Sequence, residues 1–337
     1  MRFTCKTLLK MGEGYTEYRI PGIVEHKGEA VMCVEARANT GSDWGHIDIM
    51  ILGENGRRHL FVPKGMQAGA GETNALTEGV TLNNPVLISD GNWLHLIFHV
   101  NYRDVMYTKS MDGGYTWQPL RDITDAYREF PFDWNVSATG PGHGIVLDSG
   151  RLLVPIWLAN GEVESLSGAD YRIKHYPSVA GAVYSDDGGE TWSSGAMIAD
   201  FDEIIDCNET TCVQLGDGSI LFNIRHRGPQ RCRVLGISMD GGESCFWMQP
   251  DLSLEDPMCF GSMAVRDGEV YFTNCRSINS RTNLGVKKLA MGMWEGCGVI
   301  DSVGGYSDCA FVGGKLWVLY ERTTASGIAE IVLAKEN

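Results

Sequence analysis

The chain has 337 residues, 43% of them hydrophobic and 21% charged, ordinary values for a globular protein with a sizeable core that exclude a wholly disordered chain. Its formal net charge of −15 argues against non-specific nucleic-acid binding and against contact with anionic membranes, and no apolar run approaches a membrane span. Any anionic substrate therefore requires a locally basic pocket.

The opening residues, MRFTCKTLLKMGEGYTEYRI, contain no long apolar stretch and no signal-type cleavage pattern. The ten cysteines do not read as a disulfide framework. Cys33, Cys212, Cys259 and Cys309 lie in or beside apolar runs, where cysteine serves as a small buried hydrophobe. Cys207 and Cys212 lack the second matched pair of a metal site. The expectation is a reduced cytosolic protein, or an exported one if a leader has been removed, with no metal and no cofactor.

Along the chain, short strand-like runs follow one another: IPGIVEHKGEAVMCVEA, WLHLIFHV, RLLVPIWLA, SILFNIRH, VYFTNCRS and KLWVLYER, each bounded by Gly, Asp or Asn. Helical candidates are scarce: DITDAYREF is the best, and LSLEDPMCF is cut by Pro257. Between the runs the chain repeats itself. SMDGGYTW at Ser110 returns as SDDGGETW at Ser185, and SMDGGESC at Ser238 keeps the turn but replaces Thr-Trp by Ser244-Cys245. Asp-Gly-Gly supplies positive-φ positions for a tight hairpin, Ser and Asp can bond the turn's own amides, and Trp can pack beneath it. Each copy follows a strand (DVMYTKS, AGAVYS, RVLGIS), so the boxes are read as blade-folding devices without chemistry. The repeats and length predict an all-β, six-bladed β-propeller of four-stranded antiparallel sheets, a single domain over residues 1–337.

The segment Tyr18-Arg19-Ile20-Pro21, followed downstream by these boxes, resembles the (F/Y)RIP signature of sialidases, and from Tyr18 to Glu321 the chain is similar to bacterial-type exo-α-sialidases. The resemblance implies three arginines gripping a sugar carboxylate: Arg19, Arg225 of SILFNIRH and Arg281 of NSRTNLGV. Planar guanidinium forks hold a carboxylate through bidentate, charge-assisted bonds, and three of them together are costly unless an anion binds. Arg227 competes for the second place, and Arg225 is preferred for its distance from Glu209. Arg37 of VEARAN matches the position near the sugar's 4-hydroxyl. Asp43 of GSDWGHID fits the acid/base, on a loop marked by Gly41 and Gly45, with Asp48 as a structural rival in the alternating HIDIMIL.

The same resemblance makes Tyr306 of GGYSDC the nucleophile and Glu209 of DCNETTC its partner carboxylate. A neutral phenol avoids the repulsion that a carboxylate meets at an anomeric carbon bearing a carboxylate of its own, and tyrosine-nucleophile sialidases are an exception among glycosidases. The neighbouring arginines are expected to favour phenolate character. Glu321 of LYER is expected to buttress Arg19, although pairing with Arg322 fits its spacing nearly as well. His143, in SATGPGHGIVL, is expected in a loop near the pocket without a catalytic role. The implied activity is retaining hydrolysis of a terminal α-linked sialic acid from a sialylated glycan. The alternatives are a glycosidase for a related 2-keto-3-deoxy sugar acid, a trans-sialidase, and a non-catalytic carbohydrate-binding propeller. The missing fourth box (KKLAMGMWEG) and the altered third one place blade stability in question.

Overall fold

Short apolar strands joined by glycine turns hide their two faces only by stacking sheet on sheet. The computed structural model describes residues 1–39, 42–63, 79–165, 171–199 and 204–337. Among them, six small sheets stand around a ring as the blades of the expected propeller. Blade 1 runs from Glu17–His26 to Arg58–Leu60, blade 2 from Leu82–Ser89 to Arg121–Asp122, and blade 3 from Val136–Thr139 to Ser193–Ile198. Blade 4 runs from Thr210–Gln214 to Trp247–Glu255, and blade 5 from Ser262–Arg266 to Met293–Val303. Blade 6 consists of Ser307–Val312, Lys315–Thr323 and Ala329–Glu336, with a fourth strand from the other end of the chain. That strand, Phe3–Lys10, pairs antiparallel with Ala329–Glu336, from Phe3 opposite Glu336 to Lys10 opposite Glu330, and closes the ring. A two-stranded ribbon, Val163–Ser165 with Tyr171–Ile173, is inserted between the second and third strands of blade 3. The short helix Thr124–Arg128 lies within DITDAYREF.

Neighbouring blades cover both faces of each sheet, which explains why strands such as Leu152–Ala159 are buried at every position and read as continuous apolar runs. Ile23, Met32 and Leu52 of blade 1 pack with Leu319 and Leu333 of blade 6. Burial on this scale stabilises by about 1.5–3 kcal/mol per large side chain.

All three boxes occupy the same place, the turn from the third to the fourth strand of blades 2, 3 and 4. In the first, the Gly114 amide donates to Ser110 Oγ at 2.9 Å, and the Thr116 amide and hydroxyl donate to Asp112 at 2.8 and 2.6 Å. The second repeats these bonds through Ser185, Asp187 and Thr191. The third also repeats them, because Ser244 donates to Asp240 from its amide at 2.9 Å and from its hydroxyl at 2.5 Å. The turn's bonds need a hydroxyl, not a threonine, so this box keeps them with Ser244. In blade 5 the corresponding turn is a tight hairpin on Met291 and Gly292, both at positive φ. Trp117 is buried as expected, whereas Trp192 is half-buried against Tyr107, its ring 5.5 Å away.

Burial works against the Asp112 and Asp187 charges, but the Thr and Ser hydrogen bonds overcome it and hold both carboxyls down at about 2, below the ordinary 3.8. A carboxyl depressed in the folded state contributes stability above its unfolded value and loses it as pH falls through the folded one. The melting temperature is therefore expected to fall between about pH 4 and about pH 2, and Asp187→Asn should flatten this dependence. Thermal melts across that window check it.

Candidate active site

Because the first three strands of each blade run antiparallel, the start of the first, the end of the second and the loop to the third share one rim of the ring. The box turns lie on the opposite rim, so they cannot reach a site on this one. Arg19 begins the first strand of blade 1, Glu209 and Tyr306 immediately precede the first strands of blades 4 and 6, and Arg225 follows the second strand of blade 4. Arg281 precedes the third strand of blade 5, and Asp43 lies in the loop between the second and third strands of blade 1. Residues scattered over nearly three hundred positions (19 to 306) thus converge on one cavity of about 220 Å³. It is lined by Arg19, Asp43, Glu209, Arg225, Arg281 and Tyr306.

Tyr306 is at the centre. Its hydroxyl donates to Glu209 Oε1 and accepts from Arg225 Nη1 at 2.9 Å, while Arg225 Nη1 also donates to Glu209 Oε2. The Arg19 and Arg281 guanidinium groups stand over the same ring, 5.1 and 5.0 Å from its centroid. Arg281 forms no carboxylate ion pair among the described residues. Behind Arg19, Glu321 accepts from Arg19 Nε at 3.1 Å and Nη2 at 3.3 Å, and also from the Ile20 and Tyr306 amides. Glu321 therefore pairs with Arg19 and not with Arg322, which bonds Asp301 and Glu330 instead. Arg227, the competitor of Arg225, lines the cavity edge but lies over the Tyr176 ring, 4.3 Å from its centroid.

Asp43 Oδ1 lies 3.0 Å from Arg37 Nη2 and 3.7 Å from Arg19 Nη1. Asp48 is fully buried and accepts from the Tyr15 hydroxyl at 2.7 Å, a strand residue as expected. Gly41 lies outside the described residues, and Gly45 adopts positive φ. Arg37 is also fully buried, held by Glu35 at 2.7 Å, and meets the cavity through Asp43 rather than lining it. His143 departs from its expected place. It bonds Asp308 at 2.8 Å and lines a separate cavity with Ile145, Gln214 and Phe311, because it lies in a two-residue strand, Gly142–His143, that pairs parallel with Leu82–Ser89 of blade 2.

The charges follow from this packing. Burial disfavours ionised Asp43, but Arg37 and Arg19 outweigh it and hold the carboxyl below its ordinary range. Glu321 is likewise held down by Arg19 and Arg281 against burial. Tyr306 corrects the sequence-based expectation of phenolate character. Burial and the Glu209 charge push its hydroxyl well above the ordinary value, and the three arginines only reduce that rise. Tyr306 is therefore a neutral phenol near neutral pH.

Sequence reasoning missed Asn84, Tyr102, Trp157, His175 and Asn208, which complete the lining. Three lining residues, Ile20, Asn84 and Tyr102, hold positive φ, an uncommon state for non-glycine residues and a marked outlier for a β-branched one. Register shifts in the first strands of blades 1 and 2 accompany two of them, between Arg19 and Gly22 and between Asn83 and Val86. The available signal was Pro21 and Pro85, since proline inside a strand marks a bulge, and bulges re-aim side chains.

A family model for a BNR repeat-like domain matches residues 36–310. The chain belongs to the BNR repeat-like family. Its curated relatives are sialidases: it is 34% identical to Sialidase-4 of Homo sapiens over 136 residues, 40% of this chain and 27% of that protein. To the exo-alpha-sialidase of Arthroderma benhamiae it is 25% identical over 316 residues, 83% of this chain and 68% of that protein. Among solved structures, the Hadza microbial sialidase Hz136 matches 99% of this chain and 68% of its own, with a TM-score of 0.76 at 19% identity. This BNR repeat-like chain aligns with only about a quarter to a third of the length of the first mammalian relatives, 27% and 32%.

Proposed function

We propose that the protein is an exo-α-sialidase, a glycoside hydrolase that releases a terminal α-linked sialic acid from a sialylated glycan with retention of configuration. The observation that carries this reading is the Tyr306 hydroxyl, bonded to Glu209 and Arg225 beneath the guanidinium groups of Arg19 and Arg281. A cluster of arginines in a protein of net charge −15 supplies the locally basic pocket that an anionic sugar requires.

The sugar carboxylate docks on the three arginines, placing the anomeric carbon over the Tyr306 oxygen. As that oxygen attacks, Tyr306 passes its proton to Glu209, and the bond to the leaving oxygen breaks as Asp43 protonates it. Water then loses a proton to Asp43 and attacks the same carbon, and the departing Tyr306 oxygen recovers its proton from Glu209. Asp43 must be protonated for the first step. The incoming carboxylate shares Arg19, which weakens the hold that keeps Asp43 ionised before substrate binds.

Incubation with an aryl sialoside and with its deaminated analogue, followed by NMR of the first-formed sugar, tests activity, sugar preference and stereochemistry together. Release of the α-anomer is expected, and the β-anomer as first product overturns the covalent mechanism. Arg281→Lys should lower kcat/KM by about 10- to 100-fold, because losing a charge-assisted fork costs about 1.5–3 kcal/mol. Steady-state kinetics check this, and unchanged values remove Arg281 from the carboxylate clamp.

A further inference from the structure

The catalytic cavity opens sideways into a second, larger chamber of about 510 Å³. Arg19, Asp43, His175 and Arg227 line both spaces, and Trp44, Tyr176 and the blade 3 ribbon wall the chamber beyond them. Under the sialidase reading, on which this inference rests, Asp43 protonates the leaving oxygen. Whatever is attached to that oxygen must then continue on the Asp43 side, into this chamber. Its volume lies within the roughly 300–1,000 Å³ that encloses a drug-sized ligand, enough for more than one sugar unit.

The charges of the chamber are not balanced evenly. On the ribbon, Arg172 pairs with Glu164 at 2.6 Å, and Lys174 pairs with Glu162 at 2.7 Å. Arg19 is held by Glu321 at 3.1 Å. Arg227 has no carboxylate ion pair among the described residues, and its guanidinium lies over the Tyr176 ring, 4.3 Å from its centroid. An exposed, pre-oriented cation at the junction of two cavities, on a protein of net charge −15, is placed to meet an anion there.

We propose that this chamber is the leaving-group subsite and that Arg227, held by Tyr176, selects leaving glycans that carry an anionic substituent close to the scissile bond. A carboxylate on a second sugar acid and a sulfate ester on a neutral sugar share the chemistry a guanidinium fork recognises.

Two matched substrate pairs, each differing only in charge, test this at low salt. One is a disialyl oligosaccharide against the same compound with its reducing-end carboxylate converted to a methyl amide. The other is sialyllactose against its 6-sulfated congener. The wild-type protein should favour the anionic member of at least one pair by about five- to tenfold in kcat/KM, with the advantage shrinking as salt rises. The pair that shows it identifies the source of the anion. Arg227→Gln should bring the ratio to within about twofold, and Arg227→Lys, which keeps the charge, should retain part of it. Equal rates within both pairs, or a preference that survives Arg227→Gln, overturn the proposal. Hydrolysis of an aryl sialoside by the wild type separates the two readings. If it is cleaved while both ratios are flat, only the subsite fails, and if it is not cleaved, the sialidase reading itself falls.

Discussion

Tyr306→Phe should fold with a melting temperature close to that of the wild type and lose about 10⁴- to 10⁶-fold in kcat, the scale seen when an attacking group is removed. The substitution keeps the ring that packs on Phe260, 5.9 Å away, and that carries Arg19 and Arg281. It deletes only the oxygen shared by Glu209 and Arg225. With the phenol neutral, the attacking oxygen becomes a competent nucleophile only as its proton moves to Glu209. Glu209→Gln should therefore depress kcat by about 10²- to 10⁴-fold while leaving the tyrosine in place. A 3-fluoro sugar-acid inactivator should label Tyr306 in the wild type and nothing in Tyr306→Phe. Label on a carboxylate, or full turnover by the phenylalanine variant, would sink the assignment.

Asp43→Ala should divide substrates by their leaving groups. Natural glycosides, whose alkoxide departs poorly without a proton, should lose about 10²- to 10⁴-fold in kcat, and an activated aryl sialoside far less. The pH profile adds a second readout. The acid form of Asp43 is the active one in the first step, so wild-type turnover of poor leaving groups should fall as pH rises through the Asp43 pKa in the complex. That basic limb should vanish in Asp43→Ala. Because Arg37 and Arg19 hold the carboxyl low in the free protein, the limb in kcat/KM should lie at lower pH than the limb in kcat. Equal damage to both substrate types removes Asp43 from the acid role and leaves it as a partner of Arg19 and Arg37.

What the chain determined by itself is what depends on neighbours along it. The boxes are legible because Ser110, Asp112 and Thr116 bond one another within seven residues, and the same local bonds form wherever the pattern recurs. The third box keeps the same bonds with a different letter, because the Ser244 hydroxyl replaces that of threonine. The strands are legible because sheets covered on both sides demand continuous apolar runs. The cavity is not, since ring closure alone brings Arg19 of blade 1 beside Tyr306 of blade 6 and places Tyr102, Trp157 and His175 from blades 2 and 3 around them. No spacing along the chain encodes those meetings. Arg225 and Arg227 are equivalent as letters, and they part only because the strand Ile220–Ile224 ends before them, sending one to Glu209 and the other onto Tyr176. The ionisation of Tyr306 was likewise a tertiary matter. The surrounding arginines are visible in the sequence, but the burial that outweighs them exists only once six blades have closed around the ring.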